Sequence, residues 1–82
     1  MIKLLFFARL RETLDCNEMQ VEYRAGESVA DLASRLASEH GEAWQLLLHD
    51  DTRCAINQDI VDATTLLNDG DELAFFPPVT GG

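Results

Sequence analysis

The sequence predicts an α+β domain in which one long helix packs across a small mixed sheet. Three observations predict it. Short β-forming runs stand near both ends of the chain, one amphipathic helix lies between them, and turn residues separate the other segments. The 82 residues suffice for one domain, and the 46% of apolar residues are typical of a globular protein rather than a disordered one.

The first elements are a strand, a short helical turn and a second strand. Residues 2–8 are rich in β-formers and bounded by charge, which predicts a strand. Its alternation places Leu5 and Phe7 on the same face as Lys3, and we expect this face to meet solvent. Residues 9–14 predict the helical turn. Residues 19–23 alternate again and predict a strand antiparallel to the first.

The clearest helix begins after Ser28 and ends before Gly41. Ser28 and Asp31 have the spacing of a capping box, and Gly41 suits the position after the last helical turn. One buried stripe follows the helical period through Val29, Leu32, Ala33, Leu36 and Ala37. Residues 42–49 predict a second short helix with Trp44, Leu47 and Leu48 facing inward.

The second half of the chain predicts three more strands. Residues 53–57 form the first, residues 60–61 return from a tight corner at 57–59, and a turn at 68–71 leads to the last strand at 72–76. Because the first and last strands are the most apolar, we expect them to be central neighbours. This arrangement is the ubiquitin-like β-grasp fold. It would occupy residues 1–76, and residues 77–82 would form an extended tail.

Charge and cysteine usage exclude several classes of function. Fifteen acidic residues against six basic ones give a net charge of −9, which argues against nucleic acid or an anionic membrane as a partner and fits a partner with a basic surface. Cys16 and Cys54 lie far apart and give no metal-ligand spacing or redox pair, so no metal site is expected. The apolar N-terminal run is too short for a secretion signal, so we expect a cytoplasmic protein.

The ending of the chain has the clearest chemical potential. Pro77 and Pro78 have no N–H to continue a ladder, so they end the last strand. Gly81 and Gly82 then give a thin terminus, and six extended residues reach about 20 Å. A terminal carboxylate is ionised and a poor electrophile until it is activated, for example as an acyl-adenylate. We therefore predict a carrier whose reactive group is the Gly82 carboxyl.

Several segments together resemble the small subunit of molybdopterin synthase, of the MoaD type in the MoaD/ThiS ubiquitin-like family. They read DGDELAFFPPVTGG at residues 69–82, IKLLFFA at 2–8, RE at 11–12 and AINQ at 55–58. The resemblance covers essentially the whole chain, and the C-terminal block is its most specific part. Sulfur carriers of the thiamine pathway share the Gly-Gly ending but are less similar around residues 75–78.

The resemblance implies a sulfur carrier that works with other proteins. A ubiquitin-activating-type enzyme would adenylate Gly82 with ATP, and a sulfur donor protein would convert the adenylate to a thiocarboxylate. The tail, which comprises Pro77, Pro78, Val79, Thr80, Gly81 and Gly82, would then enter the large catalytic subunit of a heterotetramer. There it would give sulfur to cyclic pyranopterin monophosphate. We expect this chain to bind no cofactor and to catalyse nothing alone, since no nucleophile–base pair or phosphate loop is present.

We expect the partner interface on the outward face of the sheet, at the root of the tail. Its predicted members are Leu5, Phe7, Ile60, Ala74 and Phe76, with Arg9 and Arg11 beside them. An exposed apolar patch of this kind is typical of a protein contact. The alternatives are that a helix or loop covers the patch as a second small core, and that the two arginines are simply solvated.

Two further classes of function stay open at this point: a sulfur carrier of another pathway, and a ubiquitin-like modifier or plain binding module. The chain resembles sulfur carriers in general, so it would also suit another pathway such as the thiamine one. A ubiquitin-like modifier, joined to lysine through Gly82, would have the same ending. A plain binding module would use the fold without the terminus.

Overall fold

The computed structural model describes residues 1–77. Its five strands are β1 (Ile2–Phe6), β2 (Glu18–Val21), β3 (Arg53–Ile56), β4 (Asp59–Val61) and β5 (Glu72–Phe76). Its helices are α1 (Ala8–Leu14) and α2 (Val29–His40), followed by a 3₁₀ helix at Glu42–Leu48. The strands form one mixed sheet in the order β2-β1-β5-β3-β4. The predicted ubiquitin-like topology is therefore confirmed.

The first and last strands are neighbours near the centre of the sheet, as predicted. They run parallel, with Leu5 beside Ala74 and Phe6 beside Phe75. Strand β2 pairs antiparallel with the other edge of β1, and β3 pairs antiparallel with β5. Parallel pairing brings the carboxyl ends of β1 and β5 to the same end of the sheet. We call this the tail end, and the opposite end, where β5 begins, the loop end.

The core lies between the inner face of the sheet and helix α2. Leu4, Leu73, Leu32 and Leu36 are completely buried there, because alternation along each strand and the apolar stripe of α2 direct them toward each other. The predicted capping box is confirmed. The Ser28 hydroxyl accepts a bond from the Asp31 N–H at 3.1 Å, and the Asp31 carboxylate accepts one from the Ser28 N–H at 3.0 Å.

Two details differ from the sequence prediction. Strand β2 covers Glu18–Val21, so it begins one residue before and ends two residues before the predicted strand at residues 19–23. The second short helix is a 3₁₀ helix, and Leu48 is 44% exposed instead of facing inward. The 3₁₀ geometry explains the error, because residues three apart are eclipsed and one narrow ridge faces the core. Leu47 is the buried member of that ridge, and Trp44 is half-buried.

The loop end is closed by hydrogen bonds around the buried carboxylate of Asp71. This carboxylate accepts bonds from the Asn57 side chain at 3.0 Å and from the Asn68 N–H at 2.8 Å. The Asn57 side-chain oxygen accepts in turn from the Glu72 N–H at 3.0 Å, and the Lys3 N–H donates to the Asp71 carbonyl at 3.0 Å. These bonds join the turn after β3 to the starts of β1 and β5.

The division into a domain at residues 1–76 and a tail at residues 77–82 stays a prediction, and Pro77 is the last described residue. Strand β5 ends at Phe76, as the two prolines predict. The remaining residues of the predicted tail, Pro78, Val79, Thr80, Gly81 and Gly82, lie outside the described residues. Within residues 1–77, no helix has the length and apolar character that a bilayer crossing requires.

Candidate functional site

An apolar patch covers the outward face of the sheet toward its tail end. It consists of Leu5, Phe7, Ala55, Ile60, Ala74 and Phe76. The strand registers explain why these side chains meet. Leu5 lies beside Ala74, Ala74 beside Ala55, and Ala55 beside Ile60, so one row crosses four strands. Phe7, directly after β1, is two residues beyond Leu5, and Phe76, the last residue of β5, is two residues beyond Ala74. The alternation of side chains therefore places both rings on the same face as this row.

The apolar patch is separate from the core. None of its side chains belongs to the core cluster or to the partly buried residues that pack against that cluster. Phe7 is 46% exposed and Ile60 is 74% exposed. The side chains of Leu5, Ala74 and Phe76 are half-buried by their neighbours in the sheet. A second small core under a helix or loop was the alternative, and these exposures favour a surface that is open to a partner.

The chain turns sharply from β1 into α1 at Phe7 and Ala8. Phe7 is still extended, and its N–H donates to the Phe75 carbonyl at 3.2 Å, so the β1–β5 ladder holds the residue in place. Ala8 has a φ of 53°, in the left-handed region that costs an alanine about 1 kcal/mol or more. The strained turn lets α1 leave the sheet directly after Phe7. The phenyl ring consequently stays on the outward face.

The two predicted arginines follow Phe7 on helix α1, but they lie in different surroundings. Arg9 lines a groove of about 270 Å³ together with Pro77, the last described residue, so Arg9 lies near the root of the tail. Arg11 lines a separate groove with Glu12 and Asp15 near the start of β2. Within residues 1–77, neither arginine takes part in an ion pair.

Sequence reasoning missed two residues of this surface. Ala55 lies at the centre of the row and is 7% exposed, yet it faces outward. Arg53 is exposed beside Phe76 and adds a third cation at the tail end. Both follow from the antiparallel register of β3 on β5. Nothing in the local pattern of residues 53–57 indicates that register.

The two thiols and the acidic groups add no second reactive centre. Burial and the nearby Asp62 carboxylate raise the pKa of the Cys54 thiol, which donates to the Val61 carbonyl at 3.3 Å. A thiol in this state is protonated and a poor nucleophile. Hydrogen bonds from Thr64 lower the pKa of Asp62, and those from Ser28 lower the pKa of Asp31. No group of three or more potential ligands within residues 1–77 is arranged to hold a metal ion.

The fold and the site together define a ubiquitin-like β-grasp domain with an apolar patch on its outward face, toward the end of the sheet where β5 ends. The model of the ThiS family matches residues 4–82. A molybdopterin synthase sulfur carrier subunit of Escherichia coli (strain K12) is 42% identical over 85 residues, and the match covers 100% of both chains. The chain therefore belongs to the ThiS family.

Solved structures carry the same fold. The crystal structure of SAMP1 from Haloferax volcanii is 26% identical and has a TM-score of 0.81, covering 99% of this chain and 98% of that one. A subunit in a complex of subunits 1 and 2 of molybdopterin-converting factor from Helicobacter pylori is 22% identical, with a TM-score of 0.67 over 99% of this chain and 97% of that one. At that identity the second likeness concerns the fold alone.

Proposed function

We propose that this chain is the sulfur carrier subunit of a molybdopterin synthase, and that Gly82 carries the sulfur. The observation that supports this most strongly is the full-length identity of 42% to a subunit of that name. The ending Gly81-Gly82 is the second support, since a carrier needs an unhindered terminal carboxyl.

The chemistry begins with an unreactive group. The Gly82 carboxylate is ionised at neutral pH and resists nucleophilic attack. An adenylating enzyme joins it to the adenylyl group of ATP, and pyrophosphate leaves. A sulfur nucleophile at the oxidation level of sulfide, delivered by a donor protein, then attacks the acyl carbon and AMP leaves, which yields the thiocarboxylate. In the synthase, this sulfur passes to cyclic pyranopterin monophosphate as part of the dithiolene of molybdopterin.

The residues of this chain position the carrier, and its partners supply the catalytic groups. The apolar patch and Arg9 stand at the root of the tail, so a protein that binds them takes up the tail at the same time. We assign this role to the large catalytic subunit. The Helicobacter neighbour, solved with its subunit 2, supports a pairwise assembly of this kind. The ATP belongs to the adenylating enzyme, and this chain binds no cofactor of its own.

The test combines a change at the terminus with mass measurement. Protein produced with its cellular partners should give a C-terminal peptide that is heavier by the difference between sulfur and oxygen. Deletion of Gly82, or its conversion to an amide, should abolish sulfur transfer and leave the melting temperature unchanged. The amide is the closer control, because it keeps every atom of the backbone up to the carbonyl. Sulfur transfer by the amide would refute the proposal.

A ubiquitin-like modifier is the second candidate. The likeness to SAMP1 favours it, because SAMP1 is the abbreviation of small archaeal modifier protein 1. Two solved structures from Haloferax volcanii, one under each form of the name, have the same fold at 26% identity. The same mass measurement separates the two functions. A modifier appears as an adduct on lysine side chains of other proteins, whereas a sulfur carrier appears as a thiocarboxylate on the free chain. A thiamine-pathway carrier would also form the thiocarboxylate, but it would co-purify with a thiazole synthase.

A further inference from the structure

Strand β4 is an edge of the sheet and, among the described strands, pairs with β3 alone. The alternation of its hydrogen bonds with β3 determines which of its backbone N–H and C=O groups point away from the sheet. The Asn57 N–H donates to the Glu72 carbonyl at 2.8 Å, so alternate residues of β3 bond to β5. Ala55 is two residues earlier and has the same orientation toward β5. Ile60, its partner on β4, therefore receives no ladder bond from β3. The Ile60 N–H and C=O both point away from the sheet.

The turn before β4 indicates the same alternation of hydrogen-bonded and non-hydrogen-bonded pairs. Asn57 and Gln58 have φ values of 50° and 75°, as a two-residue type I′ hairpin requires. In such a hairpin the residues that flank the turn, Ile56 and Asp59, form the hydrogen-bonded pair, and the next pair does not. Within residues 1–77, the backbone of Ile60 has no bond outside the ladder either.

The two edge strands of the sheet, β2 and β4, differ in how well their side chains discourage the addition of another strand. The outward residues of β2 are Glu18 and Gln20, and Glu18 pairs with Lys3 at 3.5 Å. Polar and charged side chains of this kind discourage an added strand. Strand β4 instead presents Ile60, which is 74% exposed, and it contains neither lysine nor proline. An exposed apolar side chain over unpaired backbone groups is the arrangement to which an extended segment binds.

A groove runs beside β4 on the inner side of the sheet. It has a volume of about 750 Å³ and separates the first turns of α2 from β4. Its apolar lining includes Val29, Ala30, Ala33 and Val61. The exposed carboxylates of Asp59 and Asp62 bracket the strand, and hydrogen bonds from Thr64 keep Asp62 ionised. Arg53 is the only arginine or lysine among the described residues that line this groove.

We propose that an extended segment of the large catalytic subunit pairs with β4 through the Ile60 N–H and C=O and extends the sheet to a sixth strand. The residue opposite Ile60 would continue the apolar patch on the outward face. Its two neighbours would point into the groove, which takes aliphatic side chains. Lysine or arginine at the ends of the segment would pair with Asp59 and Asp62. This inference rests on the proposed function, because it concerns the same partner.

Continuity and charge favour this occupant over a second copy of the chain. Ile60 ends the row that begins at Leu5, so a partner that covers the apolar patch reaches β4 without a gap. Two copies would bring two net charges of −9 together, with Asp59 and Asp62 on both sides of the new ladder. A segment with lysine or arginine would instead be attracted by these carboxylates.

The experiment removes one hydrogen-bond donor and no side chain. Cys54 permits ligation of a synthetic segment 54–82 to residues 1–53, and the full chain is then made with an ester in place of the Ile60 amide N–H. The Val61 amide is replaced in the same way as a control, because its N–H faces β3. Binding to the large subunit from the same organism is measured by calorimetry, and stability by urea unfolding.

The two esters should differ in which quantity they change most, because an ester removes the N–H and also makes the preceding carbonyl a weaker acceptor. The ester at Ile60 should weaken binding about fivefold to tenfold, as expected for one backbone hydrogen bond, and lower the urea midpoint only slightly, through the weakened Asp59 carbonyl. The ester at Val61 removes a donor to β3 and weakens the Ile60 carbonyl, so it should lower the urea midpoint more and weaken binding less than the ester at Ile60. Unchanged binding by the Ile60 ester would overturn the inference. If Phe7→Ser still weakened binding in that case, the proposed function would stand without the sixth strand. If the unmodified chain did not bind the large subunit, the proposed function itself would fail.

Discussion

At the loop end of the sheet, a buried carboxylate and its hydrogen bonds join three segments, whereas at the tail end the side chains of Phe7 and Phe76 face outward and, within residues 1–77, belong to no part of the core. Asp71 is 8% exposed and accepts bonds from two asparagines. Phe7 is 46% exposed beside arginines that have no ion pair within residues 1–77. The same strands β1 and β5 run through both ends.

This difference indicates a division between stability and binding. A buried polar group stabilises the fold only when its hydrogen bonds are complete, and the loop end meets that condition. An exposed apolar group contributes little to the folded monomer and much to an interface that covers it. Substitutions at the two ends should therefore change different measurable quantities.

The largest effect is expected at the loop end, from Asp71→Ala. The change leaves the Asn57 side chain and the Asn68 N–H without their acceptor at a partly buried site. We expect a loss of about 2–3 kcal/mol in the free energy of unfolding, measured by urea titration. Binding of the large subunit by the folded fraction should not change.

Asp69→Ala is the matched control for that change. Asp69 is an exposed neighbour in the same turn, and its ion pair with the N-terminal ammonium is open to solvent. We expect it to lower stability by about 0.5 kcal/mol or less. Equal losses for the two variants would contradict the importance of the buried carboxylate.

The next effect is expected at the tail end, from Phe7→Ser or Phe76→Ser. Each should weaken binding of the large subunit about tenfold to a hundredfold, since an aromatic side chain is lost from the centre of the contact. The melting temperature should fall much less, because neither ring belongs to the core. Calorimetry and thermal unfolding on the same samples compare the two effects.

Leu66→Ser provides the control for general loss of apolar surface. Leu66 is 59% exposed and lies beside Ser28, outside the apolar patch. Its substitution should leave binding unchanged. Normal binding by Phe7→Ser together with a large drop in melting temperature would reject the division between the two ends.

The smallest effect is expected from Arg9→Gln. Arg9 stands at the root of the tail and should attract acidic groups of a partner, so its loss should slow association about threefold at low salt. The difference should vanish as salt is raised, because screening acts on exposed charges. Arg24→Gln, at an exposed position of the described chain remote from α1, is the control. Equal rates for Arg9→Gln and the native chain at low salt would remove Arg9 from the interface.

The sequence predicted the elements best where local signals are strong. Ser28, Asp31 and Gly41 marked both ends of α2, and the two prolines marked the end of β5. The apolar character of β1 and β5 was enough to place them side by side. The outward positions of Leu5, Phe7, Ala74 and Phe76 followed from the period of two along each strand.

The sequence could not predict features that depend on pairing between distant strands. Ala55 and Arg53 join the site through the register of β3 on β5, which a local pattern does not contain. The exposure of Leu48 depends on a 3₁₀ rather than an α geometry, and both fit the same seven residues. The orientation of the Ile60 N–H and C=O depends on which residue pairs of β3 and β4 are hydrogen-bonded. The role of Gly82 is still a prediction, since it lies outside the described residues.

The position of β5 between β1 and β3 also has a consequence for biosynthesis. A chain that is still being synthesised has not yet supplied the strand that its sheet needs, and its first strand must wait for the last. Translation must therefore reach Phe76, the last residue of β5, before the five-stranded sheet can form.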